Sequence, residues 1–200
     1  MPTTSPRKRW VPPAKNLLQL KIALRYIRPT IWRRIVVPDN ITLGDLHYMF
    51  QTVMGWQNCH LHGFRIGKVN YEAASPGTDF GFPTGFEEPA PQEDEVQLGQ
   101  VFQRKGQRGL YEYDFGDGWL HEILVEKITP ATELHPTAVC LAGKRACPPE
   151  DCGGIPGYEC VRRVLKSAKT AEDREFREWV GEYDPERFDL AEVNRRLRGT

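Results

Sequence analysis

The sequence predicts a single α+β domain: an antiparallel or mixed sheet with helices packed on one side and a helical C-terminal part. Alternating strand patterns fill the first and middle parts of the chain, and helical apolar stripes fill its last part. Strands and helices do not alternate in the regular way that a doubly wound parallel sheet requires. A chain of 200 residues is also long enough to bury a substantial core as one domain.

The first strands are predicted from residues that alternate between apolar and polar. From Leu18 to Tyr26 every second side chain is apolar, which is typical of a half-buried strand. Residues 31–37 are predicted to form its hairpin partner, after a turn at Arg28-Pro29-Thr30. The pattern predicts a further strand over residues 59–66.

The clearest hairpin pattern lies in the middle of the chain, where strands are predicted at 110–115 and 119–128. Gly116-Asp117-Gly118 supplies suitable turn residues between them. Because both hairpins show the same alternation, we expect them to share one sheet.

A helix is predicted to begin after Thr42, since Thr42 and Asp45 have the spacing of a capping box, and to end at Gly55. Three apolar stripes at helical spacing predict a helical C-terminal part. These stripes are Val161, Val164, Leu165 and Ala168; Phe176, Trp179, Val180 and Tyr183; and Leu190, Val193 and Leu197.

Two segments have few periodic apolar positions. Residues 1–15 contain four prolines and a short basic run, and we interpret them as a disordered tail before a single domain at 16–200. Residues 72–95 are rich in Pro and Gly and are predicted to form a long mobile loop.

The charge balance narrows the functional classes. Lys+Arg and Asp+Glu both number 27, which argues against a strongly electrostatic nucleic-acid binder. The basic hairpin has two possible interpretations. A charged, exposed strand edge is favoured, and the alternative is a local binding site for nucleic acid or phosphate. Its cations are Arg25, Arg28, Arg33 and Arg34, beside Trp32. The chain has no apolar run long enough for a membrane span and no apolar signal region, so a cytoplasmic location without a membrane partner is expected.

Three cysteines lie close together in a Gly- and Pro-rich segment, which we predict to be neither helix nor strand: Cys140, Cys147 and Cys152. In a cytoplasmic protein, clustered thiols suggest zinc, with His121, His60 or His62 as the fourth ligand. Two alternatives stay open: the thiols pack as small apolar groups, or two of them form a disulfide. We expect no functional role for the cysteines outside this segment.

A second candidate site combines His60, His62, Asp114, Asp117 and His121. Histidines on strand faces and carboxylates from a hairpin turn suit a divalent metal that activates water, or a small polar ligand. The alternative is that each histidine is a hydrogen-bonded core residue and that Asp117 only caps its turn.

Several ordered motifs resemble the plasmid pRiA Orf-three-like family, some members of which are labelled insertion-element passenger proteins of TnpR type. The motifs are RPTIWRR from Arg28, LGDLH from Leu43, MGW from Met54, HLHGF from His60, YDFGDGWLHE from Tyr113, the segment Cys140 to Gly154, and DPERFD from Asp184. The resemblance covers about Leu17 to Leu197 and implies a single α+β domain found beside mobile DNA. It implies no particular biochemical activity.

Taken together, these observations predict a cytoplasmic binding or accessory domain associated with plasmids and mobile elements, and they favour a protein that is not an enzyme. Its expected partner is a protein or a small polar ligand, and no cofactor besides zinc is expected. The competing hypothesis is a metal-dependent hydrolase or nuclease that uses the His/Asp cluster.

Overall fold

The computed structural model describes residues 13–72, 91–132 and 138–199, and a seven-stranded antiparallel sheet organises them. The strands are β1 (Asn16–Leu24), β2 (Trp32–Pro38), β3 (His62–Ile66), β4 (Val69–Glu72), β5 (Arg108–Tyr113), β6 (Trp119–Pro130) and β7 (Val139–Lys144). Their order across the sheet is β4-β3-β5-β6-β1-β2-β7. The helices are α1 (Leu43–Met54), the short α2 (Leu98–Val101), α3 (Gly154–Lys166), α4 (Ala171–Val180) and α5 (Leu190–Leu197). This arrangement confirms the predicted α+β class with a helical C-terminal part.

The two predicted hairpins form and meet in the middle of the sheet. β1 pairs with β2, β5 pairs with β6, and β6 also pairs with β1, so both hairpins share one sheet as expected. Along β1 the even-numbered residues from Leu18 to Leu24 are buried and the residues between them are half-buried. One face of the sheet therefore packs against the core.

Helix α1 begins and ends where the sequence indicates. The Thr42 hydroxyl accepts a hydrogen bond from the Asp45 backbone N–H, and the Asp45 carboxylate accepts one from the Thr42 N–H. Gly55 ends the helix in the left-handed region with φ of 100°, which a residue without Cβ adopts at low cost. The helix buries Leu46, Phe50 and other apolar residues against the sheet, and each such side chain stabilises the fold by about 1.5–3 kcal/mol.

The prediction that the cysteine segment is neither helix nor strand is wrong at both ends. Cys140 lies in strand β7, and Gly154 begins helix α3. The residues Val139 to Ala142 are compatible with a strand, and the Pro and Gly residues that break regular structure come later, from Pro148. Only residues 145–153, called the thiol loop below, connect the two elements.

Strand β7 also overturns the exposed-edge interpretation of the basic hairpin. β7 pairs along β2, which is therefore an inner strand. Arg33 is only 2% exposed, because its guanidinium turns inward and donates to backbone carbonyls. The predicted strand over 59–66 is shorter than expected and begins at His62, so His60 lies in the preceding loop.

The predicted tail and mobile loop fall mainly on residues 1–12 and 73–90, which lie outside the described residues. At the end of that loop, Glu93–Glu95 form a short 3-10 helix in which Glu93 is buried. Within the described ranges, no helix has the length and apolar character needed to cross a bilayer.

Candidate metal centre

Three loops meet at one end of the sheet and bring four ionisable side chains together. His60 comes from the loop between α1 and β3, and Asp114 comes from the turn between β5 and β6. Glu150 and Asp151 come from the thiol loop. Because the loops are far apart in sequence, only the folded sheet assembles this group.

The imidazole of His60 lies at the centre of the group. Its Nε2 is 3.2 Å from Asp151 Oδ1, 3.7 Å from Asp114 Oδ2 and 3.9 Å from Glu150 Oε2. None of the three contacts has hydrogen-bond geometry, and this buried nitrogen has no hydrogen-bond partner among the described residues. Three carboxylates therefore surround a ring nitrogen that they do not directly hydrogen-bond.

The turn itself orients the Asp114 carboxylate. Asp114 has φ of 56°, a left-handed conformation that Asp tolerates better than most residues. Its Oδ1 accepts hydrogen bonds from the backbone N–H groups of Gly116 at 2.9 Å and Asp117 at 3.2 Å. These bonds leave Oδ2 to face His60.

Glu150 is held in the same way, with one oxygen anchored and the other unpartnered. Its Oε1 accepts hydrogen bonds from the Gln57 backbone N–H at 2.6 Å and from the Tyr113 hydroxyl at 3.1 Å. Its Oε2 is buried without a hydrogen-bond partner among the described residues, and the side chain is only 8% exposed. Such an oxygen is unfavourable unless a cation or a proton donor approaches it.

The neighbours of Glu150 keep its anchor in place. Burial raises the pKa of Tyr113 well above its ordinary value, so the hydroxyl stays protonated and can donate to the carboxylate. The same hydroxyl accepts a hydrogen bond from the Cys59 backbone N–H at 3.1 Å. The thiol of Cys59 consequently lies beside Glu150 and His60.

The donor atoms form two groups of three that share His60. One group contains Cys59, His60 and Glu150, the other His60, Asp114 and Asp151, and within each group all donor atoms lie within 4.8 Å of one another. Nitrogen, carboxylate oxygen and thiolate sulfur together suit first-row divalent ions such as Zn²⁺ or Mn²⁺. The arrangement is thus chemically suited to hold one divalent metal ion.

The structure brings together part of the predicted His/Asp cluster. His60 and Asp114 meet, and Asp117 lies next to them, where its Oδ2 accepts a hydrogen bond from the Gly153 N–H at 3.2 Å. Gly154 lies so close to the Asp117 carbonyl that a Cβ there would be 2.7 Å from the oxygen. Asp117 therefore fixes the thiol loop against the hairpin turn.

The other two predicted histidines take part in different contacts. His62 hydrogen-bonds the buried Glu93 carboxylate at 2.9 Å and stacks on His47 with ring centroids 3.4 Å apart. His121 is enclosed in the core near Tyr111, and burial lowers its pKa to about 4. For these two positions the observed contacts agree with the alternative in which histidines are core residues.

The three clustered thiols are buried, and all five cysteines of the chain are free. Burial raises the pKa of Cys147 and of Cys152 to about 12, so both are protonated thiols near neutral pH without a bound cation. Neither group of donor atoms found among the described residues includes Cys140, Cys147, Cys152 or His121. A zinc site on these thiols stays a prediction.

Sequence reasoning missed Glu150, Asp151 and Cys59. The acidic pair directly precedes Cys152 within the same Pro-rich loop that drew attention to the thiols. Carboxylates beside Pro148-Pro149 were the available signal, because a rigid loop can present them in a fixed direction.

Comparisons with known proteins agree with this fold. Residues 16–192 match the family model described as plasmid pRiA4b ORF-3-like protein. A protein of Sinorhizobium fredii, "Uncharacterized protein y4hQ", is 34% identical over 184 residues, which cover 90% of each chain. The crystal structure of the "Protein of Unknown Function MM3350" from Methanosarcina mazei Go1 has a TM-score of 0.76 and 36% identity, covering 90% of this chain and 98% of that one.

Proposed function

The chain belongs to the plasmid pRiA4b ORF-3-like family, and we propose that it is a cytoplasmic accessory domain that binds one divalent metal ion. The proposed ligands are His60, Asp114, Glu150 and Asp151, with Cys59 beside them. The observation that carries the proposal is the pair of buried, unpartnered atoms His60 Nε2 and Glu150 Oε2, which face each other at 3.9 Å.

The distances favour a metal over a direct ion pair. Donor atoms that bind one ion at about 2.0–2.2 Å lie no more than about 4.4 Å apart. The three distances from His60 Nε2 to the carboxylates, 3.2, 3.7 and 3.9 Å, fall within this limit. A protonated imidazole would instead be expected to donate one short hydrogen bond to a single carboxylate.

One feature favours hydrolysis as a second candidate function. The Asp151 side chain is 69% exposed and the His60 side chain is 26% exposed, so the site is open on one side. A catalytic metal keeps a coordination position for water, whose pKa it lowers, whereas a structural metal is closed by protein ligands.

Isothermal titration of the metal-free protein with Zn²⁺, and separately with Mn²⁺, tests the proposal. We expect about one ion per chain for wild type and an affinity at least about tenfold weaker for Glu150→Gln, which keeps the shape but removes the charge. Glu182→Gln, at an exposed position outside both groups of donor atoms, is the matched control and should bind like wild type. No binding to wild type, or equal binding to Glu150→Gln, would overturn the proposal.

A further inference from the structure

A groove of about 640 Å³ lies beside the metal centre. Its walls are the C-terminal end of α1, the thiol loop, and residues of α4, α5 and the segment between them. We propose that this groove binds a phosphate ester that carries a planar ring, with the phosphate between Arg187 and the metal and the ring against Trp179. The inference rests on the proposed function, since it uses the bound ion as one of the two positive charges.

The groove and the metal centre share two carboxylates. Glu150 and Asp151 line the groove and also face His60. Glu150 Oε2 and His60 Nε2 are buried, whereas the Asp151 side chain is 69% exposed. A ligand in the groove would therefore complete the coordination of the ion on the side of Asp151. Phosphate oxygens are suitable ligands for such an ion, because they are hard, anionic donors.

Arg187 lines the groove and is positively charged without an acidic partner among the described residues. It is exposed, and among the described residues no carboxylate lies within 4 Å of its guanidinium. In contrast, Arg196 is paired with Glu192 at 2.8 Å. Arg33, below the groove, donates to carbonyls at the end of β7 and of α1. A planar guanidinium is well suited to grip a phosphate with two hydrogen bonds.

The remaining acidic groups of the groove are already engaged. Asp189 caps α5, since its Oδ1 accepts a hydrogen bond from the Glu192 N–H at 2.9 Å. The Glu192 carboxylate pairs with Arg195 and Arg196. With an ion bound at Glu150 and Asp151, the uncommitted charge facing the groove is therefore positive, which favours an anion.

Trp179 offers a surface for the ring. It lines the groove, is 52% exposed, and stacks on Phe176 with centroids 5.3 Å apart and planes inclined by 11°. A supported indole of this kind binds the face of a planar ring, and stacking of a nucleic-acid base on an aromatic side chain contributes about 1–3 kcal/mol. The groove volume lies in the range of small-molecule sites and accommodates a ring together with a phosphate.

Titration calorimetry on the metal-loaded full chain tests the inference, with adenosine monophosphate as the probe and inorganic phosphate and adenosine in parallel. We expect adenosine monophosphate to bind more tightly than either part. Arg187→Gln should weaken the nucleotide and phosphate by about tenfold or more. Trp179→Ala should weaken the nucleotide and adenosine by about fivefold or more and leave phosphate unchanged.

Two surface variants outside the groove serve as controls, Arg104→Gln and Tyr48→Ala, and both should bind like wild type. Metal content is measured on the same samples, which separates the two proposals. A protein that binds the metal but not adenosine monophosphate, or whose groove variants bind it like wild type, refutes this inference alone. A protein that binds no metal refutes the proposed function, and nucleotide binding that does not respond to added Zn²⁺ refutes the role of the ion in this groove.

Discussion

Removing the guanidinium of Arg33 should destabilise the protein and also weaken binding at the proposed metal site. This buried group donates to Val53 O at 2.6 Å, Trp32 O at 2.9 Å, Lys144 O at 2.9 Å and Arg145 O at 2.7 Å. It thus ties the end of α1 to the start of the thiol loop. Arg33→Met has a similar length and leaves these carbonyls without their charged donor.

The expected loss of stability follows from these four bonds. Each hydrogen bond to a charged group contributes about 1.5–3 kcal/mol. Burial of the guanidinium offsets part of this gain, and burial is also the main reason that the pKa of Arg33 is lowered. Arg33→Met leaves carbonyl oxygens without a donor, at about 1–3 kcal/mol for each one that stays buried, so we expect the free energy of unfolding to fall by about 3–5 kcal/mol.

Urea unfolding followed by circular dichroism measures this loss, and titration with Zn²⁺ measures the metal affinity of the folded variant. Arg33→Lys is the informative comparison, because it keeps the charge but lacks the planar fork that reaches several carbonyls. A loss below about 1 kcal/mol for Arg33→Met would refute the view that Arg33 anchors the loop. Equal stability of the Lys variant and wild type would refute the importance of the fork.

Three further predictions concern the core, the helix that follows the thiol loop, and the thiols. His121 has a native pKa of about 4 against 6.5 in the unfolded chain, so the unfolded state takes up the proton first as the pH falls. We therefore expect wild type to lose up to about 3 kcal/mol of unfolding free energy between pH 7 and 4, and His121→Phe to lose less. Urea unfolding at several pH values measures both losses. Gly157→Ala places a Cβ against the Cys152 carbonyl oxygen and should lower the unfolding free energy by about 1–3 kcal/mol; an unchanged urea midpoint would contradict this. Cys147→Ser should lower the melting temperature more than Cys160→Ser, because the Cys147 thiol is buried and the Cys160 thiol is exposed. Elemental analysis should give the same metal content for both variants. A loss of zinc in Cys147→Ser alone would instead support a zinc site on the thiols.

Sequence patterns predicted those strands and helices that are specified by residues within one short segment. The alternation from Leu18 and the Thr42–Asp45 capping box each lie within one short segment, and the structure confirms both. Strand β7 was missed because it is short, contains Gly143, and is stabilised by pairing with the distant β2. The partner strand lies more than a hundred residues away in the sequence, and this pairing leaves no alternating apolar pattern in β7 itself.

The same distinction explains the candidate site. His60 was recognised because alternation placed it on one face of the predicted strand 59–66, and Asp114 because it lies beside the predicted hairpin turn. Alternation also selected His62 and His121, since a period of two places ligands and core histidines on the same face. Glu150 was missed because only the folded structure distinguishes its two carboxylate oxygens. One accepts a hydrogen bond from the Tyr113 hydroxyl, and the other is buried without a partner among the described residues.

Anomalous diffraction from crystals of the zinc-loaded protein, recorded on both sides of the zinc absorption edge, shows directly whether His60 and the neighbouring carboxylates bind a metal. We expect one strong zinc peak at about 2.0–2.2 Å from His60 Nε2 and from at least two of the carboxylates of Asp114, Glu150 and Asp151. A peak among Cys140, Cys147 and Cys152, or zinc-loaded crystals without any peak at His60, would contradict it.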